Sequence, residues 1–267
     1  MIMNNKFRFG VICSLEKLPD NYPITLRGDI EDVAERARLA GAEALELHIR
    51  DPYKYYDLNR GIAISAITTG LEYVLNKLSL IDDTERAVAR LKEHIDLAEK
   101  IGCPGIVIGV VRGNIPDFEK YDEYEALLTE AVTELADYAA KRHVDIYIEA
   151  INRYVTNWLC SVPEVLSYVK KLDRENIKVH IDTHQMNIED VDFYGTVKAC
   201  GDKLGYVHFS DSNRGCPGEG NIDFRPVIKA LKEIDYSGYI VIESAECPPG
   251  DPALETSLKM LREYCDE

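Results

Sequence analysis

Residues 145–182 read DIYIEAINRYVTNWLCSVPEVLSYVKKLDRENIKVHID. A short β-branched run (Asp145–Glu149) leads into a polar stretch, then a helical pattern opened by Pro163, then a second short run (Ile177–Asp182). That order is strand, helix, strand, and the connection is long enough for the two strands to lie parallel. Within the runs the aliphatic residues alternate: Ile146 and Ile148 in one, Val179 and Ile181 in the other. The residues between them, Tyr147 and Glu149, His180 and Asp182, therefore point to the opposite face. Strands of a parallel sheet are covered on both faces, so polar side chains inside them need a reason.

The same unit recurs on either side. Further strands are read at Phe7–Ile12, Ala44–Ile49, Ala63–Thr68, Gly105–Val110, Tyr206–Ser210 and Tyr239–Glu243. Helical patterns fall at Ile30–Ala40, Thr84–Ile101, Glu119–Arg142, Pro163–Leu172, Phe193–Gly201, Phe224–Ile234 and Ala253–Tyr264, with at most one irregular turn in Asp51–Arg60. Asp82 or Asp83 can cap the second of these helices, and Gly41 and Gly102 follow helix ends. Eight strands, each followed by a helical segment, predict a single (β/α)8 TIM barrel spanning residues 1–267. A doubly wound sheet would place a glycine-rich phosphate loop after its first strand, but Cys-Ser-Leu-Glu-Lys stands there.

With 267 residues, 46% of them hydrophobic, the chain can build a full core. Its net charge of −16 argues against a nucleic-acid backbone or an anionic membrane as partner. Seven cysteines, none three apart, offer no CxxC pair, and neither a leader pattern nor an 18-residue apolar run occurs. These features predict a cytoplasmic protein with free thiols, acting on a small molecule.

Parity assigns the chemistry. Glu149, Asp182, His208 and Glu243 each point inward at the C-terminal end of one of the last four strands, the end where such barrels carry their sites. Alone, a strand-end Asp is as good a helix cap, and an inward His as good a core residue. Together, three carboxylates would repel unless a cation neutralised them, and three oxygens with one imidazole suit Mn²⁺ or Mg²⁺ better than structural zinc. Glu46 and His48 also point inward, where pairing with each other or with Arg50 is at least as open as contact with a substrate. Arg112 closes a strand, where oxyanion binding and a plain ion pair are equally open. Trp158 can wall a pocket or cover the barrel.

At these residues the chain resembles the xylose-isomerase-like TIM-barrel superfamily, and within it the ketose 3-epimerase and 5-keto-L-gluconate epimerase group. The resemblance is carried by Thr69-Gly70-Leu71-Glu72-Tyr73, Glu149-Ala150-Ile151-Asn152-Arg153-Tyr154, Asp182-Thr183-His184-Gln185-Met186-Asn187-Ile188-Glu189, His208-Phe209-Ser210-Asp211-Ser212-Asn213-Arg214 and Ile242-Glu243-Ser244. It implies one Mn²⁺-type ion (or Mg²⁺ or Co²⁺) on Glu149, Asp182, His208 and Glu243, with the two glutamates as the acid/base pair. It also implies a substrate contact from Arg214 and a homodimer or homotetramer. Two positions depart from the pattern: Val155 stands where the group usually has Glu, and Gln185 where it has a substrate-binding His. His184, beside it, can replace that function if the loop turns it inward.

The expected reaction is proton transfer at a carbon next to a carbonyl of a carbohydrate, through an enediolate. The alternative is a dehydratase or lyase of the same superfamily, acting on a keto-polyol or oxidised sugar. A DNA-repair endonuclease of the related barrel would want more than six histidines and a basic face, and a sugar sensor would not need two carboxylates flanking one carbon.

Overall fold

The computed structural model of the chain describes residues 7–19, 22–57 and 61–266. The extreme N-terminus read above for a leader, and the end of the Asp51–Arg60 segment, lie outside the described residues.

Eight parallel strands close on themselves: β1 (Arg8–Ser14), β2 (Ala44–His48), β3 (Ala63–Thr68), β4 (Gly105–Ile108), β5 (Asp145–Glu149), β6 (Ile177–Asp182), β7 (Leu204–Phe209) and β8 (Tyr239–Ile242). Each pairs with the next in sequence, and β8 pairs with β1 in parallel, Phe9 opposite Ile240 and Val11 opposite Ile242. Helices α1 (Ile30–Ala40), α2 (Gly70–Val74), α3 (Thr84–Ile101), α4 (Tyr121–Ala140), α5 (Val162–Leu172), α6 (Thr183–Glu189), α7 (Phe193–Cys200), α8 (Arg225–Glu233) and α9 (Ala253–Asp266) fill the connections. This is the (β/α)8 barrel the sequence predicts. No helix of the described residues is long and apolar enough to cross a membrane.

The aliphatic residues of the strands behave as their alternation requires. Ile146, Ile148, Val179, Ile181, Ile240 and Ile242 pack outward against the helices. Inside the barrel Ile12, Ala66, Val107, Tyr147, Tyr206 and Val241 form a separate apolar plug. Tyr147 and Tyr206 stack within it, ring centroids 5.0 Å apart and planes 8° from parallel.

Local details differ from expectation. The first strand runs on to Ser14 and pairs with a two-residue segment, Leu26–Arg27, in a parallel ladder. Asp83 occupies the N-cap of α3 without a side-chain cap bond, while Asp82 accepts from Ser79 Oγ at 2.6 Å. The Asp51–Arg60 segment holds one 3₁₀ turn, Pro52–Tyr55. Helices α2 and α6 were not legible as patterns, being five and seven residues long. The register slips by one residue between β6 and β7, where Gly205 is the extra residue, and between β2 and β3, where it is Ser65.

Candidate active site

The C-terminal ends of β5 to β8 bring four ligand-type side chains to one place. Glu149 and Asp182 close their strands, His208 stands next to last in β7, and Glu243 follows β8. One ligand atom from each lies within 4.8 Å of those from the others, and Glu149, His180 and His208 form a second such grouping. Asp182 serves two purposes at once. One of its oxygens accepts the backbone N–H of His184 at 2.8 Å and caps α6, while the other pairs with Nη1 of Arg214. Nη2 of Arg214 lies 2.5 Å from Oε2 of Glu243, so the guanidinium bridges two of the acids. Arg214 is held there by a left-handed backbone, φ 63°.

His208 sits between two carboxylates, its Nδ1 3.0 Å from Glu243 and its Nε2 2.5 Å from Glu46 of β2. Glu46 in turn accepts from Tyr206 Oη at 3.0 Å and from Thr68 Oγ1, and Ser65 Oγ lies 2.7 Å from the same tyrosine oxygen. The expectation that Glu46 pairs with His48 or Arg50 is therefore corrected: its partner is His208, across the lumen. A carboxylate behind an imidazole fixes the tautomer and ring plane of a metal-binding histidine and leaves Nδ1 facing the cluster.

The electrostatics are those of crowded acids. Burial, reinforced by the charge of Glu243, pushes the Glu149 carboxyl up to about 8. Burial would do the same to Glu243, but Arg214 and His208 outweigh it and hold that carboxyl well below the usual range. Burial alone would strip His208 of its proton, yet Glu46 and Glu243 keep its imidazole pKa well above ordinary. His180 has no hydrogen-bond partner on either ring nitrogen among the described residues, and burial holds it neutral. This donor set fits a divalent cation: three carboxylates and an imidazole converge, and their mutual repulsion is what such an ion offsets.

A cavity of about 370 Å³ opens over the cluster. Its wall includes Glu149, Glu243 and Arg214, then Asn152, Val155, His184 and Gln185, and on the far side Tyr22 and His48. Gln185 Oε1 accepts both the backbone and side-chain N–H groups of Asn152, and His184 turns its Nδ1 to the carbonyl of Asp211 at 3.1 Å. Val155 stands at the mouth, 52% exposed. His48 is a residue that sequence reasoning undervalued: its Nδ1 has no partner among the described residues, Tyr22 Oη lies 3.5 Å from its Nε2, and burial lowers its pKa to about 4.

Arg112 meets neither of the two partners open to it, a substrate oxyanion or a paired acid. It is fully buried outside the cavity wall, and its guanidinium donates to the carbonyls of Gly109, Glu149, Trp158 and Leu159. It clamps the backbone that carries Glu149 and offers no free face to an anion. Trp158 covers the barrel: its Nε1 donates to the Gly113 carbonyl at 3.0 Å and its ring meets Tyr121 edge-on. Arg153 turns outward to Glu189. Gly109 matters for what it lacks, since a Cβ there would lie 2.5 Å from Glu149 Oε2.

Comparison with known proteins agrees with the barrel fold. Residues 34–264 match the family described as Xylose isomerase-like TIM barrel. The chain is 43% identical to the L-ribulose 3-epimerase of Methylomonas sp. (strain DH-1) over 132 residues, a match covering 49% of this chain and 46% of that protein. It is 27% identical to the ketose 3-epimerase of Arthrobacter globiformis over 237 residues, covering 85% and 82% of the two. Among solved structures, the D-allulose 3-epimerase from Methylomonas sp. in complex with D-allulose superposes with a TM-score of 0.80 at 26% identity, over 97% of each chain.

Proposed function

We propose that this chain, which belongs to the xylose isomerase-like TIM barrel family, is a divalent-metal-dependent epimerase of keto-sugars, with residues 1–267 forming one such domain. The observation that carries this reading is the approach of Glu149 and Glu243 from β5 and β8, three places apart in a ring of eight strands, with Asp182 and His208 between them. Two carboxyls so placed can flank a flat intermediate, the arrangement that inversion at one carbon requires.

Glu149, Asp182, His208 and Glu243 would hold the ion, which when bound polarises a carbonyl and its neighbouring hydroxyl and makes the C–H between them acidic. One glutamate takes that proton and the other returns one from the opposite face. Without the ion their environments differ, Arg214 and His208 holding Glu243 ionised while burial and the charge of Glu243 favour the protonated Glu149; a bound cation would favour the carboxylate of both. Arg214, with donors on both Asp182 and Glu243, orients the acids and meets the substrate oxygen between them. Glu46 keeps His208 in one tautomer.

The substrate end is set by Val155, Gln185 and His184. Val155 offers no hydrogen bond, and the Gln185 carbonyl is already engaged by Asn152. A sugar hydroxyl left unpaired there costs roughly 1–3 kcal/mol. The site therefore favours a substrate whose end group is apolar, oxidised or joined to a larger group over a plain ketohexose. The enzyme acts in the cytoplasm as a homodimer or homotetramer.

Incubation with a panel of ketoses and oxidised keto-sugars in D₂O with Mn²⁺ tests the reading. Deuterium should enter the carbon skeleton without loss of water. An absorbing enone in place of deuterium exchange would assign a dehydratase instead, and neither outcome across the panel would overturn the carbohydrate reading.

A further inference from the structure

The loops that carry Arg214 and Glu243 each hold a cysteine, Cys216 between β7 and α8 and Cys247 between β8 and α9. Cys216 and Cys247 are both buried and both free, and their sulfurs are 3.2 Å apart, closer than two sulfurs in ordinary van der Waals contact. Ser244 Oγ lies 3.2 Å from the Cys216 sulfur. The two loops are already stapled by the backbone, Ala245 N–H donating to the Arg214 carbonyl at 2.7 Å.

The two thiols are not equivalent. Cys247 lines an outer cleft of about 250 Å³ formed with Leu26, Arg36, Leu39, Pro248 and Asp251, whereas Cys216 lies behind it. The hydrogen bond from Cys216 holds the Cys247 thiol below its ordinary range, and the same contact together with burial raises Cys216. Burial pushes Cys13 and Cys200 up instead, the ordinary fate of an enclosed thiol.

We propose that Cys247 and Cys216 form an oxidisable dithiol, a modification site in which Cys247 meets a peroxide in the cleft and Cys216 resolves it. The Cys247 thiolate attacks one peroxide oxygen, the O–O bond breaks, and sulfenic acid and hydroxide result. The Cys216 sulfur then attacks the Cys247 sulfur. The S–S bond forms, the S–O bond breaks, and the leaving oxygen departs as water with the Cys216 proton. Two thiols lose two electrons and the peroxide becomes two waters. A disulfide of about 2.05 Å needs the sulfurs to close by little more than 1 Å, and it ties together the loops bearing Arg214 and Glu243. This site stands independently of the epimerase reading.

The test is peptide mapping of the intact protein after treatment with a few equivalents of hydrogen peroxide, with alkylation of the remaining thiols. A dithiothreitol-reversible Cys216–Cys247 peptide should appear before any other thiol is oxidised, and the oxidised protein should melt several degrees higher than the reduced. Cys216→Ser should accumulate a dimedone adduct on Cys247, while Cys247→Ser should leave Cys216 unlabelled and slow thiol loss at least tenfold. Absence of the linked peptide in the parent protein would overturn the proposal, and so would equal labelling of the two variants.

Discussion

Cavities of nearly equal size open at the two ends of this barrel, about 370 Å³ at the C-terminal end and about 360 Å³ at the N-terminal end. Volume does not tell them apart. The lower cavity is bounded by Arg8, Ala63, Pro104, three glycines and the rings of Tyr147, Tyr206 and Tyr239. Among the described residues its one cation is already engaged, with Arg8 over the Tyr239 ring at 4.1 Å and donating to the Ser237 carbonyl at 2.9 Å. The upper cavity receives carboxylates, an imidazole and a guanidinium whose proton affinities are shifted in opposite directions. The stacked tyrosines separate the two. Convergence of titratable groups marks a site where size does not.

That contrast can be broken or sharpened by experiment. The largest effect belongs to the two glutamates. Glu149→Gln and Glu243→Gln keep size and an oxygen ligand but remove the base, so turnover should fall by about 10²-fold or more while metal content falls less. A variant with near-parent turnover would end the two-carboxylate mechanism. One layer deeper, Glu46→Gln should weaken metal affinity by about 10- to 100-fold in a competition titration, the usual effect of losing a carboxylate behind a metal-binding histidine. Unchanged affinity would reduce Glu46 to a core residue. At the mouth, Val155→Glu combined with Gln185→His should raise turnover on D-fructose, D-tagatose and L-ribulose by roughly one to two decades, matching the cost of an unpaired hydroxyl. If the parent is already fast on these sugars, neither position governs specificity.

Acid provides a smaller test. His48 is held near 4 against an ordinary 6.5. Between those values the unfolded chain takes a proton that the folded one refuses, so stability is complete above about pH 6.5 and falls as the pH drops toward 4. The loss is about 3 kcal/mol from this one side chain. His48→Gln should flatten the urea midpoint across that window, and parallel curves for parent and variant would disprove the assignment. The smallest effect is expected at the other end of the barrel, where Arg8→Ala should change turnover less than about twofold, within the spread of surface substitutions. A larger loss would mean that the two ends communicate through the tyrosine stack.

The barrel and the acid cluster were legible for one reason. Strands covered on both faces send alternate residues to the helices and to the lumen, so Ile146 and Ile148 alone fix the inward direction of Glu149. The same alternation showed Glu46 pointing inward but not what it meets, because His208 is brought opposite by barrel closure and not by any local pattern. Arg112 stayed open because a cation at a strand end looks the same whether it awaits an anion or, as here, collects four backbone carbonyls. Asp182 was open between cap and ligand; it caps α6 and also stands in the acid cluster, so the one role does not preclude the other. The one-residue slips at Ser65 and Gly205 leave no trace in hydrophobic periodicity, since each adds a single small residue to an otherwise regular run.

Gly109 shows how a site of this design can be disturbed without the loss of a single polar residue. The position carries no functional group, yet the Glu149 carboxylate occupies the space where any side chain would begin. A single methyl added there would leave every polar residue of the cluster in the gene while obliging the Glu149 carboxylate, 2.5 Å from the new Cβ, to turn aside. Duplicated copies drifting toward binding or scaffolding roles could lose turnover at this position first, and a survey that compared only polar residues would still count them as intact enzymes.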